Sequence, residues 1–263
     1  MTDAPAPQRR SDLGIRAVAG VAMIGVAGVA VYAGGFLYWL LIAVAALFMM
    51  AEWADLQGVP YKDKRLAQFA LFVPVAIMAP IAAGAGFLAL GLIAGSAFFV
   101  VIVTRRPGLA HGILYVGLPV LALVLLRNQE QGLLLSFWAM ALVWACDIGA
   151  YFAGRSIGGP KLAPTISPNK TWAGLIGGVI AATFFGAVLQ TQGLPLHLAL
   201  ATPLLAVLAQ MGDLYESQLK RRAGVKDSGN ILPGHGGVLD RLDGLVPVAP
   251  AAALMVELAK ITT

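Results

Sequence analysis

The side chains with the most chemistry to offer lie together near the C-terminus, from Ser217 to Asp243 (SQLKRRAGVKDSGNILPGHGGVLDRLD). Only 12% of the chain is charged and 59% is hydrophobic, yet eight charged residues fall in this stretch: Lys220, Arg221, Arg222, Lys226, Asp227, Asp240, Arg241 and Asp243. Just before and within it, Asp213, Glu216, Ser217 and Lys220 are spaced i, i+3, i+4 and i+7, one stripe on a helix. Asp240 and Asp243, at i and i+3, are expected to do the same at the start of the last apolar run. Between them Pro233-Gly234-His235-Gly236-Gly237 is too flexible for a span and suits close approach by a ligand. Carboxylates that converge without Cys or His partners at ligand spacing suit a hard cation such as Mg²⁺. Magnesium held by one or two carboxylates completes its shell with substrate phosphates, and a nucleoside triphosphate at a basic face meets that need. The basic run alone would also serve as headgroup attraction, the reading favoured for Arg222.

Two further constellations could join this chemistry. In WACDIGAYFAGR, Asp147 stands among apolar residues with Trp144, Tyr151 and Arg155 on the same helix face. A carboxylate at that depth must face a bundle interior, a cation or a basic partner. An Asp147–Arg155 structural pair is the plainer alternative. The next stretch, GGPKLAPTISPNKTW, alternates Lys161, Ser167, Lys170 and Thr171 with Pro160, Pro164 and Pro168, which hold the backbone extended. Thr171 is expected to cap the following helix, and basic and hydroxyl groups at a helix N-terminus make a phosphate site. An ordinary basic loop is the competing reading.

Taken together, Ser217, Lys220-Arg221, Lys226-Asp227, His235-Gly236-Gly237, Asp240-Arg241 and Asp243 resemble the motif of the phosphatidate cytidylyltransferases, integral-membrane CDP-diacylglycerol synthases. Ser167-Pro168-Asn169-Lys170-Thr171-Trp172 is similar to a second stretch of that family, although Ala173 stands where some relatives carry Glu or Gln. The likeness runs from Trp144 to Gly244; the N-terminal half agrees only in being apolar. The resemblance implies that CTP and phosphatidic acid give CDP-diacylglycerol and pyrophosphate, with Mg²⁺ and room for a second cation. The expected ligands are Asp213 and Asp240, then Asp243, with Glu216 and Asp147 behind them or on a second cation. Lys220, Arg221, Lys226 and Arg241 are expected to hold triphosphate and lipid phosphate. His235 is expected to bond a phosphate or shuttle a proton, or merely to anchor its loop. Ser167, Lys170 and Thr171 complete the phosphate site, with Ser217 and Asp227 also facing substrate.

These groups need a scaffold, and the rest of the chain supplies one. A mean hydropathy of +0.82 lies outside the range of soluble domains. Apolar runs about as long as a bilayer-crossing helix recur at about 15–33, 36–51, 67–83, 87–103, 110–126, 132–152, 172–190, 197–214 and 244–260. The expected fold is therefore all-α: one polytopic transmembrane bundle of about nine helices over residues 1–263. Residues 1–12 form a disordered tail and 144–244 the catalytic region with two loops. With the N-terminus in the cytoplasm, 16 of the 18 Lys and Arg residues fall on that side, leaving Arg127 and Lys260 outside. This places the protein in the cell's inner membrane with its chemistry facing the cytoplasm. The first apolar run follows Arg9 and Arg10 as a signal peptide would, but with no cleavage site it reads as a retained helix. The single cysteine, Cys146, excludes an intrachain disulfide and a thiolate metal site.

The net charge of +5 meets membrane lipids rather than nucleic acid, since no basic patch interleaved with aromatics lies outside the spans. A homodimer is compatible with all of this. Two rival functions leave different marks. A secondary transporter would keep its polar groups near the membrane midplane, whereas here they gather at one face. A CDP-alcohol phosphotransferase would carry a run of aspartates that this chain lacks.

Overall fold

The computed structural model describes residues 9–232, 234 and 236–262. Helices stand where apolar runs were expected: α1 (Arg9–Ala33), α2 (Gly35–Leu56), α3 (Tyr61–Ile77), α4 (Phe87–Thr104), α5 (Pro107–Arg127), α6 (Gly132–Ser156), α7 (Trp172–Thr191) and α8 (Leu196–Arg222). A single turn, α9 (Leu239–Leu242), then leads into α10 (Leu245–Thr262). Among the described residues the named strands are β1 (Lys161–Ala163) and β2 (Ser167–Thr171), an antiparallel hairpin between α6 and α7. The chain is thus an all-α, multi-pass membrane protein, as the composition demanded.

Among the described residues six helices, α2 and α4 to α8, are long and apolar enough to cross a membrane, against nine expected from the runs alone. One helix falls short for a visible reason. α3 is 17 residues long and opens on Lys62, Asp63, Lys64 and Arg65. Two expectations are corrected at the helix ends. α1 already begins at Arg9, inside the segment read as a tail; residues 1–8 lie outside the described residues. Asp240 and Asp243 do not ride the start of one long helix: Asp240 is in α9 and Asp243 in the turn before α10.

Backbone chemistry sets the breaks. Gly34, with φ +65°, separates α1 from α2, and Pro107 opens α5 where its missing N–H costs nothing. At the same junction Arg127, at the end of α5, donates from Nε to the Val31 carbonyl (2.9 Å) and from Nη2 to the Tyr32 carbonyl (3.1 Å). Pro74, Pro119, Pro203 and Pro250 sit inside helices, tolerated because packed neighbours re-satisfy the freed groups.

Small residues decide which helices touch. A side chain on Gly149 of α6 would stand 2.6 Å from the Gly177 carbonyl of α7, so these two backbones approach as closely as backbones can. α8 is tied in by the buried Thr202 hydroxyl, which accepts from Trp138 Nε1 (3.0 Å) and donates to the Leu198 carbonyl. At the polar end of α8, a side chain on Gly212 would run into the Asp243 carbonyl and Pro247, and one on Gly244 into Val143. Those two glycines seat α8 against the α9–α10 turn.

Candidate active site

The hairpin, the last turns of α6 and α8, and the α9 turn meet at one end of the bundle. Prolines keep 160–171 extended, as expected, and the hairpin pairs Lys161 with Thr171 and Ala163 with Ser167. Thr171 caps α7 by accepting from the Gly174 amide at 3.0 Å. Its hydroxyl is thereby committed to the helix, and the residue is almost fully buried. Arg221 Nε donates to the Ile166 carbonyl at the hairpin's tip (3.4 Å), so this arginine docks the hairpin on α8.

Beside the hairpin lies a polar cavity of about 540 Å³, lined in part by Asp147, Tyr151 and Arg155 of α6, Lys170 of β2, and Gln210 and Asp213 of α8. Lys170 Nζ reaches Asp213 Oδ2 at 2.5 Å and Gln210 Oε1 at 2.9 Å. Gln210 in turn donates from Nε2 to Asp147 Oδ1 at 3.2 Å. One ammonium and one amide therefore bridge the two carboxylates. Arg155 takes Tyr151 rather than Asp147: its Nη1 donates to the Tyr151 hydroxyl at 3.0 Å. The structural Asp147–Arg155 pair is not formed.

The second half of the site is built around Asp240. Its Oδ2 accepts three donors: the Gly237 amide (2.8 Å), the Ser228 amide (2.9 Å) and the Ser228 hydroxyl (3.0 Å). Its Oδ1 is left facing Lys220 Nζ at 2.7 Å. Burial would push this carboxyl up, but the Lys220 ammonium and the two amides outweigh it and hold the pKa at about 2. Lys220 is shared with the fully buried Glu216 at 2.5 Å, which places Glu216 behind the lysine rather than at the cavity. Asp213 repeats the pattern of Asp240. Its Oδ1 accepts from Ser217 Oγ (3.3 Å) and its other oxygen faces a lysine.

Asp243 lies between the two pairs. The Gly244 amide donates to its Oδ1 at 2.8 Å. Burial, and then the charge of neighbouring Asp213, push its pKa up to about 7, with Asp147 adding to the push and Lys220 opposing it. Four carboxylates share two lysines here, Lys170 at Asp213 and Lys220 at Asp240, so the all-oxygen set is short of positive charge, which fits a hard divalent cation. Among the described residues no three Asp, Glu, His or Cys side chains converge at metal-ligand spacing. The set therefore suits a cation held by one or two carboxylates and finished by substrate phosphates.

Lys226 and Asp227 are exposed on the loop after α8, Arg241 is exposed on α9, and Ser167 is half-buried in β2. His235 and Pro233 lie outside the described residues. Sequence reasoning missed Glu52, Gln210 and the structural part of Ser228. Glu52, on α2, is 2% exposed and accepts from the Val238 amide (2.9 Å) and the Leu239 amide (2.7 Å), with Ser228 Oγ, whose one hydrogen it shares with Asp240, at 3.3 Å. Gly237 is required here, because a side chain on it would strike Ser228 Oγ and Glu52. Glu52 thus clamps both ends of the loop that presents Asp240. The test applied to Asp147, a lone carboxylate in an apolar helix, would have flagged it.

A family model described as the cytidylyltransferase family matches residues 14–259. The chain is 43% identical over 230 residues to a protein of Brucella suis named phosphatidate cytidylyltransferase, covering 83% of each. It is 48% identical over 142 residues to one so named from Bacillus subtilis, covering 52% of this chain and 53% of that one. A Staphylococcus epidermidis protein of the same name is 46% identical over 129 residues, 47% of this chain and 49% of the other. Similarity therefore extends well beyond the C-terminal motif into the helix that carries Glu52.

Proposed function

We propose, from the premise that the chain belongs to the cytidylyltransferase family, that its polar end makes CDP-diacylglycerol and pyrophosphate from CTP and phosphatidic acid. A phosphate oxygen of the lipid attacks the α-phosphorus of CTP in line. The bond from that phosphorus to the α,β-bridging oxygen breaks, and its electron pair leaves with pyrophosphate. Both reactants are anions, so positioning and positive charge do most of the work.

The observation that carries this reading is the repeated aspartate–lysine arrangement. Asp213 and Asp240 each have one oxygen held by neighbouring donors and present the other to a lysine, at 2.5 and 2.7 Å. Carboxylates oriented in this way are suited to hold a cation. Asp213 and Asp240 are its ligands in this proposal, with Asp243 between them and Asp147 beyond. A cation held by these carboxylates, magnesium by preference, would supply positive charge to the substrate phosphates. Lys170 and Lys220 serve the anions of the two substrates, joined by Lys226 from the exposed loop and Arg241 from α9. Glu216 and Glu52 keep Lys220 and the Asp240 loop in place. The distribution of 16 of 18 basic residues supports a site facing the cytoplasm of a bacterial inner membrane, where CTP is found.

The test is direct. Purified protein in detergent is given phosphatidic acid, labelled CTP and Mg²⁺, and labelled lipid is measured with and without a chelator. CTP-dependent lipid labelling that stops on chelation is expected. No labelled lipid, beside an active control enzyme, overturns the function.

A further inference from the structure

We propose that the apolar groove between α1 and α6 is the seat of one acyl chain of the lipid substrate; this rests on the lipid-phosphate acceptor role proposed above. The groove encloses about 530 Å³, within the range of ligand pockets, and its walls are almost wholly apolar. Ile24, Gly28 and Tyr32 of α1 face Phe137, Met140 and Trp144 of α6 across it.

Its occupant is indicated by what it joins. From Leu133 onward the same face of α6 carries Phe137, Met140 and Trp144, then Asp147, Tyr151 and Arg155. Each step is three or four residues, so these side chains form one continuous stripe. The stripe changes character within a single turn: up to Trp144 it lines the apolar groove, and from Asp147 it lines the polar cavity. A ligand following it would be apolar along one length and anionic at one end, which is the chemistry of a phosphatidate.

The dimensions agree. The apolar part of the stripe, from Leu133 to Trp144, is about 16 Å long at 1.5 Å per residue. That is about half of the roughly 30 Å hydrocarbon core, or one leaflet. An acyl chain already in the bilayer gains no hydrophobic energy by entering an apolar groove. The groove therefore orients the lipid, aiming its phosphate at Lys170 and Asp213, more than it tightens binding.

Gly28 offers the test, because nothing lies within 4 Å of a Cβ added there. Gly28→Phe starts its ring from that open position and occupies the groove. Rates are compared for dioleoyl- and dihexanoyl-phosphatidate, whose short chains end before Gly28. The variant is expected to raise KM for the long lipid relative to the short one by about tenfold, the scale of a lost orienting contact. An unchanged ratio with an active variant overturns the groove. As a second measurement, wild-type enzyme is photolysed with phosphatidate carrying a diazirine in mid-chain, and the adducts are mapped. Adducts on 24–32 and 137–144, displaced by dioleoylphosphatidate but not by dioleoylphosphatidylcholine, are expected. Adducts elsewhere, or equal displacement by both lipids, reduce the groove to a bulk-lipid contact and overturn the inference. If wild-type enzyme turns over neither phosphatidate, the acceptor role has failed, and the adduct map still decides whether the lipid occupies the groove.

Discussion

The two aspartate–lysine pairs look alike in chemistry and differ in construction. Lys170–Asp213 opens onto a cavity, with the lysine on a two-stranded hairpin and the aspartate 32% exposed. Lys220–Asp240 is enclosed, the aspartate 6% exposed and held by three further donors. Behind it Glu52 fixes the loop from a helix 176 to 187 residues away in sequence. One end of the site is pre-organised before any ligand arrives, and the other is where ligands can enter. Electrostatic preorganisation is worth most where it needs no rearrangement during reaction, so the rigid pair is the reference against which the open pair is set.

The strongest way to break this comparison is to neutralise each aspartate in turn. Asp213→Asn and Asp240→Asn should each reduce turnover by about a thousandfold, the scale of losing a dominant electrostatic group. Their stabilities should separate. Breaking the enclosed pair should cost about 3 kcal/mol, whereas the half-exposed pair should cost about 1 kcal/mol or less. Thermal unfolding in detergent, measured beside activity, reads both. Equal stability losses would erase the distinction between a rigid and an open end.

A smaller effect should come from Asp243, whose pKa is raised to about 7 by burial and by Asp213. A raised carboxyl pKa means that the folded state without cation holds a proton up to about pH 7, and a bound cation must displace it. Apparent Mg²⁺ affinity should therefore fall by about tenfold per pH unit below 7 and level off above it. Asp240, already ionised down to about pH 2, adds no such dependence in that range. Titrations of Mg²⁺ at pH 6 and 8 should show this slope in wild type, and Asp243→Asn should flatten it. A slope that survives the substitution assigns the proton elsewhere.

The smallest effect expected is that of Glu52→Gln. One amide nitrogen replaces an acceptor, so one of the Val238 and Leu239 amides loses its partner, at a cost of about 1–3 kcal/mol. With the Asp240 loop less firmly placed, turnover should drop by about tenfold. If Glu52→Ala matches wild type in both rate and stability, the clamp has been misread.

Legibility from sequence followed contact distance. Helix positions were readable because crossing a bilayer imposes a long apolar run: α2 and α4 to α8 start within about three residues of theirs, while α8 runs on to Arg222, past the expected end at 214. The Thr171 cap and the extended, proline-held stretch before it were readable because both are local. Glu52 and Gln210 were not, since their partners lie far along the chain and only packing brings them together. The division of α9 from α10 escaped because the apolar run begins at Gly244, while the Asp243 side chain takes up the Gly244 amide instead of leaving it to a helix. Pairing of the hairpin strands was likewise a matter of register, which prolines alone do not encode.

Arg127 carries a final consequence. Counted as a loose charge, it is one of the two basic residues that the expected topology leaves outside the cytoplasmic face. Its guanidinium, however, closes the carbonyl end of α1, and a cation at that position answers the negative pole of the helix. In the folded chain its charge is therefore committed to holding α1 against α5. Moving it one turn along α5 would leave the sum of charges on each side unchanged while releasing α1 from its neighbour.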